Sequence, residues 1–186
     1  MKTPKNAVEW SHFFIESFVK NYDVAVDLTL GNGHDFLFLL ERFQKVYGFD
    51  IQKVALEKTA DRLKDKNVEK EYYMILDGHE NLNEYVEEKI DALIMNLGYL
   101  PSGDKSIITK WDSTKKALEN GLEKLNVGGF FLVVLYKGHP GSEEESQGLE
   151  NYLQQLDQKE FTVHKISCCN QRNTPPELYG IERIKG

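Results

Sequence analysis

Cysteine is almost missing from this chain. Two occur in 186 residues, Cys168 and Cys169, side by side. Neighbours in a strand point to opposite faces, so they are not expected to pair with each other, and no other thiol exists to build a disulfide framework. No His/Cys spacing of the metal-binding kind is present, and no metal is expected. Basic charge is also scarce. Lys and Arg number 23 against 30 Asp and Glu, a net charge of −7. That excludes the broad electrostatic footprint of a protein gripping nucleic acid along its length, although not a small local patch. No apolar run approaches the ~20 residues needed to span a bilayer. The segment MKTPKNAVEWSHFF lacks the apolar centre of a signal peptide. Repeats and low-complexity tracts are absent. A cytoplasmic protein without a membrane partner is expected. Its 40% hydrophobic and 28% charged residues suit one globular domain over residues 1–186.

Helical and strand patterns alternate along the chain. AVEWSHFFIESFV (7–19) has apolar residues at helical spacing, and Trp10, Phe13, Phe14 and Phe18 read as packing residues. Strands are expected at 23–29, 45–50, 71–76, 90–97 and 128–136, with helices at 34–43, 51–66, 79–88 and 106–125 and a further helix ending near Asp157. Two more strands, 161–169 and 178–184, close the chain. Their link is too short for a right-handed crossover, so they are expected to pair antiparallel. The pattern predicts a doubly wound, seven-stranded Rossmann-like α/β sheet with its last strand antiparallel, the methyltransferase version of this architecture.

The first strand runs into VDLTLGNGHD (26–35), a glycine turn opening a helix. A dinucleotide turn places a third glycine where the helix packs closest to the strand; Phe36 stands there instead. Asp27 precedes the glycines, and a carboxylate there repels a pyrophosphate but attracts an ammonium. D-x-T-x-G-x-G, with Thr29, Gly31 and Gly33, therefore favours S-adenosylmethionine over NAD. Asp50 ends the second strand, where a carboxylate can accept both ribose hydroxyls. Asp77 ends the third and can accept an adenine amino group, although Asp also caps helices and starts turns. Asn32, His34, Asp35, Gln52 and His79 flank these positions and complete the expected donor-binding set, together with Asn96. The helix N-terminus disfavours protonation of His34, which is read as shaping the pocket.

The fourth strand ends MNLGYLPSGDK. Amino-group methyltransferases carry Asn-Pro-Pro-Tyr here: the Asn oxygen and the next carbonyl accept the target N–H groups, and the ring packs the substrate. Asn96, Leu97 and Tyr99 take these places, with Leu97-Gly98 instead of the two prolines. Lys105, Lys137, His139 and Arg172 sit in loops converging on the same edge. They are candidates for holding the phosphates of one flipped-out nucleotide, with His139 also a candidate proton acceptor. His12 and His164 are assigned to structure, and Glu143–Glu145 to the acidic first turn of a helix.

Six blocks, AVEWSH, VDLTLGNGHD, VYGFDIQ, IMNLGYLPSGDKSI, VLYKGHPGSEEE and NQRNTPP, together resemble the small bacterial "putative rRNA methylase" family across nearly the whole chain. The family's usual Thr after GNGHD is Phe36 here. The resemblance implies a Rossmann-type fold and S-adenosylmethionine as cofactor, leaving S-adenosylhomocysteine as product. It also implies homodimers and a tRNA anticodon stem-loop as partner. The implied reaction converts 5-aminomethyl-2-thiouridine at the wobble position, 34, to its methylaminomethyl form. Methylation of rRNA or of a small amine is the nearest alternative. An NAD-dependent oxidoreductase and a non-catalytic nucleotide sensor are the alternatives from other classes.

Overall fold

The central strands carry apolar side chains on both faces, and this dictates helices on both sides of the sheet. In a computed structural model, which describes residues 3–98, 108–138 and 142–186, strand β1 (Val24–Asp27) follows helix α1 (Ala7–Phe18). Then come α2 (His34–Arg42), β2 (Lys45–Phe49), α3 (Lys53–Leu63) and β3 (Glu71–Ile75). A short 3₁₀ turn (His79–Asn81) leads into α4 (Leu82–Tyr85), β4 (Ile90–Leu97), α5 (Trp111–Lys124), β5 (Leu125–Leu135), α6 (Ser142–Gln154), β6 (Phe161–Ile166) and β7 (Glu177–Arg183). Tyr99, Lys105 and His139 lie outside the described residues.

The sheet order is β3-β2-β1-β4-β5-β7-β6. The five strands β1 to β5 pair in parallel. β7 inserts between β5 and β6 and runs antiparallel to both, as the short final link requires. Period-two alternation separates two cores. Leu93 and Met95 of β4, with Phe131 and Val133 of β5, face Leu118, Leu122 and Leu149 of α5 and α6. Ala92, Ile94, Phe130 and Leu132 face Phe14, Leu39 and Phe43 of α1 and α2 and the segment after α2.

Phe36 is fully buried. A Cβ on Gly48 of β2 would come within 2.7 Å of the Phe36 ring. The chain thus obtains close helix–strand packing by removing a side chain from the neighbouring strand rather than from the helix.

Two expected helices change. The segment 79–88 holds only the 3₁₀ turn and one turn of α4, which ends where Val86 turns to extended backbone; Asp77, just ahead of it, accepts the Gly78 amide and the Asn81 side chain. α5 begins at Trp111 rather than 106; Ile108 forms a β-bridge and Thr109 hydrogen-bonds back to Gly98.

Candidate active site

The carboxyl ends of the parallel strands open into a cleft of about 1010 Å³, the place where open α/β sheets bind ligands. Its floor is the glycine turn. The Leu30 amide donates to the Phe49 carbonyl at 2.8 Å, and the Gly33 amide closes the turn onto the Leu30 carbonyl at 2.7 Å. Gly33 caps α2 in the left-handed conformation with φ 75°. A Cβ there would strike the Thr59 side chain of α3, so only glycine brings the two helices together at this point.

The expected acids separate into different roles. Asp50 accepts the Gly31 amide on Oδ2 at 2.9 Å and the Gln52 amide on Oδ1 at 2.8 Å. It locks the glycine turn to the end of β2 while lining the cleft. Asp77 also lines the cleft, but its carboxylate already accepts from Gly78, Asn81 and the Tyr85 hydroxyl. The Tyr85 hydroxyl, with Gly78 and Asn81, holds it below the usual carboxylate range. Asp27 sits deeper than the cleft-lining acids, with its Oδ2 buried and without a partner among the described residues. It is completely buried beneath the turn, accepts the Thr29 amide at 3.1 Å, and does not line the cleft. Burial pushes its carboxyl well above the ordinary value, and neighbouring Asp35 adds to the rise. The reason is that Asp27 still lies inside the sheet, whereas Asp35, in the first turn of α2, has left it. Asp35 is the acid that reaches the cleft wall beside the turn.

Asn96 ends β4 with its polar atoms fixed. Its backbone amide donates to Thr29 Oγ1 at 2.7 Å, and its Nδ2 donates to Asp35 Oδ2 at 2.7 Å. Its Oδ1 is buried and has no partner, yet Asn96 lines the cleft. Another buried atom without a partner is Nε2 of His79, also a cleft residue. Burial depresses the His79 imidazole against the pull of Glu80. Buried polar atoms are almost always paired, so two orphans among the residues lining the cleft mark places for ligand groups. His34 is exposed on the cleft rim, its Nε2 paired with the Arg62 guanidinium at 3.1 Å. Because the guanidinium can only donate, this imidazole nitrogen is the acceptor of the pair.

Of the expected basic patch, Lys137 and Arg172 fall among the described residues. Lys137 lines the cleft, but its ammonium is paired with Glu177 at 2.5 Å. Arg172 is exposed on the β6–β7 loop and is not a cleft residue. These are tertiary pairings that loop position alone does not reveal.

Three contributors were not singled out in the sequence. Tyr136 lines the cleft; burial raises its phenol, with Asp35 adding to the effect. Its signal was adjacency to Lys137 in the same loop. Glu145, read as one of three helix-starting acids, is buried, and its two oxygens accept from Thr109 and Thr114. His12, assigned to structure, bonds Asp35.

A family model described as "Putative rRNA methylase" matches residues 46–182. The "tRNA (mnm(5)s(2)U34)-methyltransferase, chloroplastic" of Arabidopsis thaliana is 33% identical over an alignment of 195 positions that covers 96% of this chain and 70% of that protein. Among solved structures, a "putative rRNA-methylase" from Clostridium thermocellum superposes with a TM-score of 0.93 at 41% identity, covering 98% of this chain and 100% of that one. A "putative methyltransferase" from Streptococcus mutans, solved in complex with S-adenosylhomocysteine, gives 0.89 at 41% identity, covering 98% and 99%. With its glycine turn at the end of β1, the acids around it and its antiparallel β7, this chain belongs to the rRNA methylase family of Rossmann-like, S-adenosylmethionine-dependent methyltransferases.

Proposed function

We propose that the protein transfers a methyl group to the 5-aminomethyl nitrogen of 5-aminomethyl-2-thiouridine at position 34 of tRNA. The observation that carries this reading is the Asn96 amide. With Nδ2 committed to Asp35, Oδ1 can act only as an acceptor, and it is left without a protein partner. An acceptor fixed in this way suits a target with N–H to offer, such as an amine. Accepting one N–H bond holds the nitrogen and directs its lone pair, which is a large part of what positioning can contribute to a displacement. The curated plant relative is a methyltransferase named for the same modified uridine.

The donor side fits a nucleoside carrying positive charge. Asp50, Gln52 and Ile51 follow one another at the end of β2, and all three line the cleft. The carboxylate of Asp50 presents its remaining acceptor capacity toward ribose hydroxyls. Ile51 is 58% exposed, an apolar wall suited to a purine face. His79 offers an unpartnered ring nitrogen, and Thr29, Gly31 and Asn32 bring the turn against the donor's amino-acid end. Asp35 supplies negative charge where ammonium and sulfonium groups would lie. When bound, S-adenosylmethionine supplies an electrophilic methyl on a sulfonium that departs as a neutral thioether. The amine must be neutral to attack, and His139 is our candidate for taking its proton, Tyr99 our candidate for packing the substrate, and Lys105, Lys137 and Arg172 our candidates for contacting its phosphates. The reading includes a homodimer acting in the cytoplasm.

The test is incubation with labelled donor and tRNA from cells lacking the gene, followed by nucleoside mass spectrometry. Methylaminomethyl-2-thiouridine is the expected product. Its absence, with donor bound, would remove the tRNA assignment, and label in rRNA or in a free amine would replace it.

A further inference from the structure

Helix α1 precedes the first strand and belongs to none of the strand–helix units, yet it contributes to the cleft. Val8 lines it, and His12, one turn later on the same face, reaches the carboxylate beside it. His12 Nε2 lies 2.6 Å from Asp35 Oδ1. Its ring stacks on Phe38 of α2, with centroids 3.7 Å apart and planes at 6°. Arg42 lies over the same Phe38 ring at 3.8 Å. The imidazole is therefore held in orientation as well as in position.

Asp35 is 8% exposed and stands close enough to buried Asp27 to raise that carboxyl. A buried carboxylate in such company requires N–H donors. An ionised carboxylate only accepts, so each neighbour must present a hydrogen. His12 satisfies one oxygen and Asn96 Nδ2 the other. This arrangement sets the amide's direction. Turning it over would place the Asn96 carbonyl against the carboxylate and aim an NH₂ at the target, where an acceptor is needed.

We propose that His12 is a positioning residue for methyl transfer: it holds Asp35, and Asp35 holds the Asn96 amide so that Oδ1 faces the target amine. The proposal rests on the reading of Asn96 as the amine acceptor. His12 is not among the residues lining the cleft and acts through two hydrogen bonds. Its contribution is therefore chiefly to the fraction of encounters in which the nitrogen is aimed, which appears in kcat more than in donor affinity.

Two variants separate this role from packing. His12→Phe keeps a ring to stack on Phe38 and removes the donor. His12→Gln keeps an N–H at the reach of Nε2 and removes the ring. On tRNA carrying 5-aminomethyl-2-thiouridine, His12→Phe is expected to lose kcat by about 10- to 100-fold, the scale of loss caused by a misplacement of roughly 1 Å near reacting atoms. His12→Gln should stay within about threefold of wild type, and calorimetric affinity for S-adenosylhomocysteine, to which Asp35 also contributes, should fall by a smaller factor than kcat in His12→Phe and stay near wild type in His12→Gln. Wild-type kcat in His12→Phe would overturn the proposal, as would equal losses in the two variants or a loss confined to donor binding. A second measurement needs no acceptor. The Asn96 side-chain NH₂ resonances of labelled protein should move in His12→Phe and keep their place in His12→Gln. If wild type makes no methylated tRNA, the functional reading fails, while the resonances still decide whether His12 controls the amide; unmoved resonances in His12→Phe overturn the proposal outright.

Discussion

Thr109 Oγ1 donates to the buried Oε2 of Glu145 across 2.8 Å, and the same hydroxyl accepts the backbone amide of Gly98 at 3.0 Å. The Thr109 amide returns a bond to the Gly98 carbonyl. One carboxylate from α6 thereby fixes the place where the chain leaves β4 and the place where it comes back before α5. Both Gly98 and Thr109 line the cleft, so the acceptor side of the site is shaped from a residue behind it.

Glu145→Ala should therefore destabilise the fold by about 2–4 kcal/mol, since it strips a charged acceptor from the buried Thr114 hydroxyl and the part-buried Thr109 hydroxyl. Glu145→Gln should cost less, as it keeps one acceptor oxygen. Urea denaturation with an unchanged slope is the measurement. Equal stabilities for Glu145→Ala and wild type would show that the clamp contributes nothing.

Asn96→Ala removes the unpartnered acceptor and leaves the glycine turn intact, because the Asn96 backbone still donates to Thr29. Turnover on the amine substrate should fall by about 100-fold or more, as when a single positioned group is lost at a reacting centre. Affinity for S-adenosylhomocysteine should change little. Full turnover in this variant would rule out the proposed role of the amide, and a non-catalytic sensor would be untouched by it.

Asp50→Ala should act on the other partner. It takes a charged acceptor from the Gly31 and Gln52 amides and from the cleft. The expected loss in donor affinity is about 1.5–3 kcal/mol, on the order of 10- to 100-fold in Kd. Calorimetry with S-adenosylhomocysteine reads this directly. An unchanged Kd would move the ribose contact elsewhere.

Asp27 predicts a pH effect of defined sign. Its folded-state carboxyl titrates above its unfolded-state value because of burial and then Asp35. The native state therefore holds that proton more tightly than the unfolded chain does. This stabilisation is complete below the unfolded pKa and is lost as pH rises through the folded one. Asp27→Asn removes the titration. Its melting temperature relative to wild type should thus be most favourable near neutral pH, and the advantage should shrink as pH falls toward about 4. A difference that is constant between those limits would mean that Asp27 does not titrate in this way.

Local pattern was enough to determine the strand–helix alternation, the glycine turn and the antiparallel ending, because periodicity, glycine and link length act over a few residues. It also placed Asp50 and Asn96 at strand ends, where the sheet must present them to the cleft. Position along a strand could not show which acid leaves the interior: Asp27 and Asp35 stand eight residues apart in sequence, and only the start of α2 carries one of them to the cleft. Nor could it show that Glu145 is buried, that Lys137 is neutralised by Glu177, or that His12 of the first helix meets Asp35. Those are pairings between elements distant along the chain. They exist only once the sheet has brought α1, α6 and β7 together, because a charge acquires its partner from packing and not from its neighbours in sequence.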